Sequence, residues 1–511
     1  MKNLIKRIKM ADLLPYIVFT VFMITIISFK VFYHLDETLT YGLSNHAGSY
    51  YMIPEEGVRY EPPMDAYQRY LAAQSIAPKS FAIPYINQAS DSHPPFYYMI
   101  VHAVCGLNKH VFSRWQAGSV NIFFALATLF ILQRIIRLLT KNEFIYQLLT
   151  WGFIFCSAVL SEVTFFRMYV MVIFLTALTA YLFLWQIEKD RGIVFYLLIT
   201  GVVLFSALTH YGTLIYSALI CIVYGIYLLI KKKWKDVGIF CGLMAVAAAI
   251  AIGFFPAIVR HVFGAGRGGE SIGNLFDLSD LFARISKFLG FINDMVFGKM
   301  LLLIALTIAV MAIILKRNGN LQLDEKTIMK YLLLHVPAIL FFLVGAKSAP
   351  YTEERYTAAI YGISYVGVLC PLLVLIDKLF SQKRARIISV SFITLMTAIC
   401  ILGNDWQYLY RRKKAGFDAL SPYSENDCIC IYGGESWRLN VKVIELTKFK
   451  SVTFLQEENY ESYDLEKLIK TDNAIICLSG VDHSEIEKVL EKMPSYSGYE
   501  YISEDSFFVY K

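Results

Sequence analysis

The sequence predicts an all-α polytopic membrane protein carrying a small α/β domain at its C-terminal end. Of its 511 residues, 57% are hydrophobic and only 17% are charged, whereas soluble domains run nearer a quarter charged. The apolar residues gather into eleven membrane-length runs. Beyond about residue 422 the runs shorten and alternate between strand-like and helix-like patterns.

A transmembrane helix needs about 20 apolar residues, with a usable range of about 17–25. The runs cover roughly 14–33, 116–137, 144–161, 166–187, 192–209, 211–230, 238–258, 298–316, 331–346, 356–378 and 387–404. Lys2, Lys6, Arg7 and Lys9 precede the first run, and no small-residue cleavage site follows it, so an uncleaved span with its N-terminus inside is expected. Cytoplasmic loops carry the excess of Lys and Arg. That places Arg134, Arg137 and Lys141, Lys189 and Arg191, Lys231-Lys232-Lys233-Trp234-Lys235, Lys316-Arg317 and Lys383-Arg384-Ala385-Arg386 on one side. All of them agree only if Pro95–Leu107, with about 13 apolar residues, does not cross. It is therefore expected to be a juxtamembrane helix over 95–107, inside a first outer loop of residues 34–115.

The resulting organisation is N-in and C-out, with a transmembrane domain over 1–404 and an extracytoplasmic α/β domain over 405–511. The outer face receives the first loop, the turn at Ser161–Arg167, the turn at Thr209–Gly212, a Gly-rich loop over 259–297, the loop Lys347–Arg355 and the tail. From Asp405 onward, 13 Lys and Arg stand against 19 Asp and Glu; that net of −6 leaves +13 upstream of a chain total of +7. The excess belongs to cytoplasmic loops and argues against nucleic-acid binding. Six of the nine cysteines (Cys105, Cys156, Cys221, Cys241, Cys370 and Cys400) fall in apolar segments, and Cys428, Cys430 and Cys477 fall on strand-like runs. No Cys/His spacing resembles a zinc site.

The polar residues with chemical potential share the outer face. Asp36-Glu37 lies just past the first run, where carboxylates near lipid are costly unless used. Ser92-His93-Pro94-Pro95-Phe96-Tyr97-Tyr98 opens the juxtamembrane helix, its two prolines forcing a sharp entry that fixes His93. Arg355-Tyr356 opens the tenth span after Glu353-Glu354, and Arg offers phosphate a planar fork; a snorkelling interfacial Arg is the other reading. Glu162, Arg167 and Tyr169 flank the turn between the third and fourth spans, as phosphate contacts or as interfacial anchors. His210-Tyr211 occupies another outer turn. Arg260, His261 and Arg267 sit among glycines, in a mobile lid or a solvated basic loop. No ionisable residues fall at mid-membrane and no internal repeat is present, which disfavours a channel or transporter.

Together, the acidic pair after the first span, the His-Pro-Pro-aromatic element closing the first outer loop and the Arg-Tyr before a later span resemble the GT-C membrane glycosyltransferases. The similarity runs from about residue 10 to 405 and leans to the protein O-mannosyltransferase and aminoarabinose-transferase branch. It implies a hexosyl or pentosyl transferase of the cell membrane. The donor would be a polyprenyl-phosphate-linked sugar, and the acceptor a hydroxyl of an envelope glycan, lipid or protein. Asp36 would be the catalytic base with Glu37 beside it, and Arg355, Tyr356, Arg167 and His210 would hold the donor phosphate. His93, Tyr97 and Arg267 would form the substrate loop. One base suffices, because the leaving group is already a phosphate. A divalent cation (Mg or Mn) gathered by Asp36, Glu37 and His210 is possible without any spacing signature. A non-catalytic lipid-glycan flippase or transporter is the alternative reading.

In the tail, strand-like runs at Cys428–Tyr432, Ser451–Leu455, Asn473–Leu478 and Phe507–Tyr510 alternate with helix-like spacing over 437–447, 462–470 and 484–493. A partly parallel sheet follows from this alternation. Gly433-Gly434 lacks the third glycine of a dinucleotide fingerprint.

Overall fold

The computed structural model describes residues 10–264, 266–277, 279–434 and 436–511. The basic residues Lys2, Lys6, Arg7 and Lys9 lie outside them. Among the described residues, eight helices are long and apolar enough to cross a membrane: Arg114–Leu139, Glu143–Thr164, Tyr169–Glu188, Tyr211–Ile230, Trp234–Phe254, Glu325–Ser348, Glu354–Leu379 and Gln382–Gly403. A ninth span forms if the bent pair Leu281–Phe297 and Leu301–Arg317 crosses as one. Leu13–Ser28 and Ile193–Thr209 are shorter apolar helices at the two remaining expected positions. The chain is a multi-pass membrane protein, and a helix covers most of each of the eleven apolar runs.

Burial differs sharply among these helices. Tyr169–Glu188 and Glu354–Leu379 are mostly enclosed, whereas Trp234–Phe254 and Gln382–Gly403 leave most of their residues partly or fully exposed. In lipid an outward apolar face costs nothing, so the exposed set marks the bundle perimeter. One end of the bundle gathers the charged loop residues. Lys231 meets Glu325 at 2.5 Å, Lys326 donates to the Glu188 carbonyl at 3.0 Å, and Lys330 donates to the Leu138 carbonyl at 2.8 Å.

The opposite end carries residues 34–115, which are largely helical: Leu35–Asn45, Met64–Leu71, Ala82–Ser90 and Phe96–Gly106. The last of these is a short apolar helix at the position expected over 95–107. Residues 259–297 do not form the expected Gly-rich loop. They fold as Ala257–Phe263, Arg267–Phe276 and Leu281–Phe297, with the glycines placed mainly at helix ends. Gly298 closes the last of these at φ 55°, where a Cβ would stand 2.9 Å from the Met396 carbonyl oxygen. That left-handed cap turns the chain through 75° into Leu301–Arg317.

The tail builds a six-stranded sheet in the order β1-β3-β2-β4-β6-β5. β2 (Asp427–Tyr432), β3 (Ser451–Gln456) and β4 (Ala474–Ser479) are parallel, and β6 (Ser506–Tyr510) and β5 (Gly498–Ser503) add antiparallel at one edge. The opposite edge, β1, is Arg59–Tyr60 from the first outer loop. Arg59 Nη2 pins it to Asp427 at 2.8 Å, and Tyr67 donates to the Leu439 carbonyl at 3.2 Å. The sheet therefore draws on both ends of the chain. Leu465–Leu468 is a 3-10 turn where the spacing suggested a helix.

Candidate active site at one end of the bundle

The helix Leu35–Asn45 starts on a reciprocal cap. His34 Nδ1 accepts from the Asp36 backbone N–H at 3.0 Å, and Glu37 Oε2 accepts from the His34 N–H at 2.6 Å. Successive residues on a helix point about 100° apart, and this splits the acidic pair. Glu37 turns into the protein, fully buried, against Lys30 Nζ at 2.9 Å and the Phe166 N–H at 2.8 Å. The expected side-by-side role of Glu37 is thus not what its placement offers: it anchors the helix. Asp36 keeps 24% side-chain exposure and lines a cavity of about 260 Å³.

Two guanidiniums face that carboxylate. Arg355 Nη1 donates to Asp36 Oδ2 at 2.5 Å. Its Nε lies 2.6 Å from Glu353, and its plane sits 5.6 Å from both the Phe165 and Tyr356 rings. Glu354 takes no part, because it turns away to accept from Gln407. Arg167 is buried and donates from Nη1 to the Asp36 carbonyl at 3.2 Å, Thr40 Oγ1 at 3.3 Å and Tyr98 Oη at 2.8 Å. Burial pushes the Asp36 carboxyl up, but Arg167 and Arg355 outweigh it and hold the group well below the usual carboxylate range.

His93 and His210 close another wall, their ring centroids 5.9 Å apart. His210 caps the helix Tyr211–Ile230, accepting at Nδ1 from the Gly212 N–H at 3.0 Å. Burial lowers His210 to about 3, with the neighbouring His93 and the two arginines adding to the effect. Tyr169 stands 5.6 Å from the His210 ring. Tyr356 and Arg267 also line the cavity, and Arg267 lies 6.0 Å over Tyr351. Tyr97 is elsewhere: it is fully buried and donates to Asn121 at 3.0 Å, so its place is structural. His261 reaches the cavity and bonds Tyr211 Oη at 2.8 Å. Arg260 instead ties Ala257–Phe263 to the Ala89 carbonyl.

Asp91, Tyr98 and Lys30 also hold the site together, through His93, Arg167 and Glu37 respectively. Asp91 was legible as the acidic partner two residues before His93. Tyr98 was inside the quoted motif, but only the helix phase reveals that it, and not Tyr97, meets Arg167. Lys30 sat unremarked at the end of an apolar run. No group of three His, Cys, Asp or Glu among the described residues could hold a metal ion. Of the three expected donors, Asp36 is engaged by Arg355, Glu37 by Lys30 and His210 by a backbone N–H.

No family model matches the chain, and no curated protein matches it by sequence. Among solved structures, the crystal structure of ArnT from Cupriavidus metallidurans bound to undecaprenyl phosphate shares 10% identity, with a TM-score of 0.50. The match covers 96% of this chain and 97% of that one. The fold is therefore ArnT-like over nearly the whole chain, from the helical bundle to the C-terminal sheet.

Proposed function

We propose that the chain is a glycosyltransferase that moves a sugar from a polyprenyl-phosphate donor to a hydroxyl of an envelope glycan, lipid or protein on the outer face of the membrane. The observation that carries this reading is one cavity in which an ionised carboxylate, Asp36, lies against Arg355 and beside Arg167. The ArnT structure supports the choice of donor, since undecaprenyl phosphate is bound there.

The chemistry follows from charge. The donor phosphate lies between the two guanidiniums, which accept its added charge as the bond to the anomeric carbon breaks. Arg355 thereby shares its charge with the phosphate, and the pull that held Asp36 low weakens. The Asp36 carboxylate regains base strength at the moment a hydroxyl must lose its proton. No metal is assigned a step.

Deleting the chain from its host should remove the mass of one sugar from an envelope component. Wild type should restore that mass and Asp36→Asn should not. Restoration by Asp36→Asn would reject the catalytic assignment, as would an undecorated sugar lipid trapped on the inner leaflet, which is the flippase signature.

A further inference from the structure

The cavity wall holds an acid–imidazole couple that the transfer step leaves unused: His93 lines the cavity and Asp91 stands behind it. His93 Nδ1 lies 3.1 Å from Asp91 Oδ2 and 3.2 Å from Ser92 Oγ. Asp91 Oδ1 accepts from Tyr50 Oη at 3.0 Å. The buried Gln88 amide, with its nitrogen turned to these acceptors, donates to Asp91 Oδ2 at 3.2 Å and to the His93 carbonyl at 3.1 Å. Both Asp91 and His93 side chains are mostly enclosed, yet His93 lines the cavity. A carboxylate seated on one ring nitrogen fixes tautomer and ring orientation. Here it takes Nδ1 and leaves Nε2 for the cavity.

We propose that Asp91 is a positioning residue that holds His93 as a proton-gated contact to the phosphate, charged when the phosphate carries two negative charges and neutral when it carries one. The inference rests on the transferase reading. In the transfer step the acceptor hydroxyl proton passes to Asp36 and the bond from the anomeric carbon to the phosphate oxygen breaks. Its electron pair stays on that oxygen. The phosphate changes from a diester with one charge to a monoester whose second ionisation lies near pH 6, as in other phosphate monoesters. His93 takes a proton from solvent at the cavity mouth, and its Nε2–H meets the added charge as a charged hydrogen bond.

The groups facing His93 fit this behaviour. Burial keeps the imidazole below its ordinary value, and Asp91 opposes that effect. Arg167 disfavours the charged ring and Asp36 favours it, while His210 and His261 approach from the neighbouring helices. A dianion on the Nε2 side adds to the pull of Asp91 and tips the balance to the protonated form.

The test is binding of undecaprenyl phosphate to the purified full chain in nanodiscs from about pH 5.5 to about 8.5, the span in which histidines titrate. The methyl phosphodiester of the same lipid serves as the single-charge control. Wild type should bind the monoester progressively more weakly as pH rises through the histidine range, and the diester nearly independently of pH. Asp91→Asn removes the pull on Nδ1, so the fall should begin at lower pH. At pH 7 the monoester should bind Asp91→Asn about tenfold more weakly than wild type, the loss of one charged hydrogen bond. Asp91→Glu should recover part of this, and His93→Gln should flatten the profile. A wild-type profile in either Asp91→Asn or His93→Gln would overturn the proposal, as would an equal loss at every pH in Asp91→Asn. Failure of wild type to bind either lipid at any pH would instead overturn the transferase reading beneath it.

Discussion

At the scale of single residues, the site is organised by which carboxylate meets which cation. Arg355 offers Asp36 a planar donor, and a phosphate arriving there would exploit the same fork. Arg355→Lys is therefore not conservative, since an ammonium replaces two parallel hydrogen bonds with one point charge. Hydrogen bonds to charged groups contribute about 1.5–3 kcal/mol each, so Arg355→Ala should lower donor use by about tenfold to a hundredfold or more. Steady-state kinetics should show the loss in kcat as well as KM if charge grows on the departing phosphate. Near-native activity in Arg355→Lys would make this residue an interfacial anchor. Glu37 gives the opposite signature. Its pair with Lys30 is essentially solvent-free, and removing one partner of a buried pair costs about 3–5 kcal/mol. Glu37→Gln should lower the thermal unfolding midpoint clearly, while Asp36→Asn leaves it near wild type.

At the scale of elements, the helix Leu35–Asn45 carries Asp36 and depends on close approach to Met64–Leu71. A Cβ on Gly42 would stand 2.0 Å from the Tyr70 ring, whose hydroxyl donates to the Tyr50 carbonyl at 2.6 Å. Gly42→Ala must displace that ring, and overpacking of this kind costs about 1–3 kcal/mol. Reduced thermal stability and partial loss of activity are the expected outcomes, and a neutral result would show that the interface is loose. The spans were legible because apolar run length is a strong signal in lipid. Asp36, His93, Arg167, His210, Arg267, Arg355 and Tyr356 were legible as polar residues in the turns and loops beside apolar runs, and all of them line one cavity. Which of two adjacent residues faces that cavity was not legible: Asp36 against Glu37, and Tyr98 against Tyr97, are decided by helix phase and by a partner distant in sequence. The helices between residues 257 and 297 were hidden by their glycines. β1 was hidden because a two-residue strand has no pattern of its own and exists only through β3.

At the scale of the whole molecule, a polar chamber sits at one end of an apolar bundle, with the basic loops at the other. An N-in, C-out orientation predicts that a cysteine replacing fully exposed Asp472 reacts with an impermeant maleimide in intact cells. A cysteine at Asn318 should not react, in a background where exposed Cys241 is alanine. Labelling at 318 alone would invert the molecule and move the chamber to the cytoplasmic side. We propose that this chamber releases polyprenyl phosphate by sugar transfer with Asp36 as base. The most direct measurement supplies the purified chain, in nanodiscs, with the lipid-linked sugar fraction and the acceptor fraction of its own membranes, and follows the free undecaprenyl phosphate produced. General-base catalysis contributes typically about 10²–10⁴-fold, so Asp36→Asn should still bind undecaprenyl phosphate while releasing it slower than wild type by that factor. Release by Asp36→Asn at the wild-type rate would contradict the account.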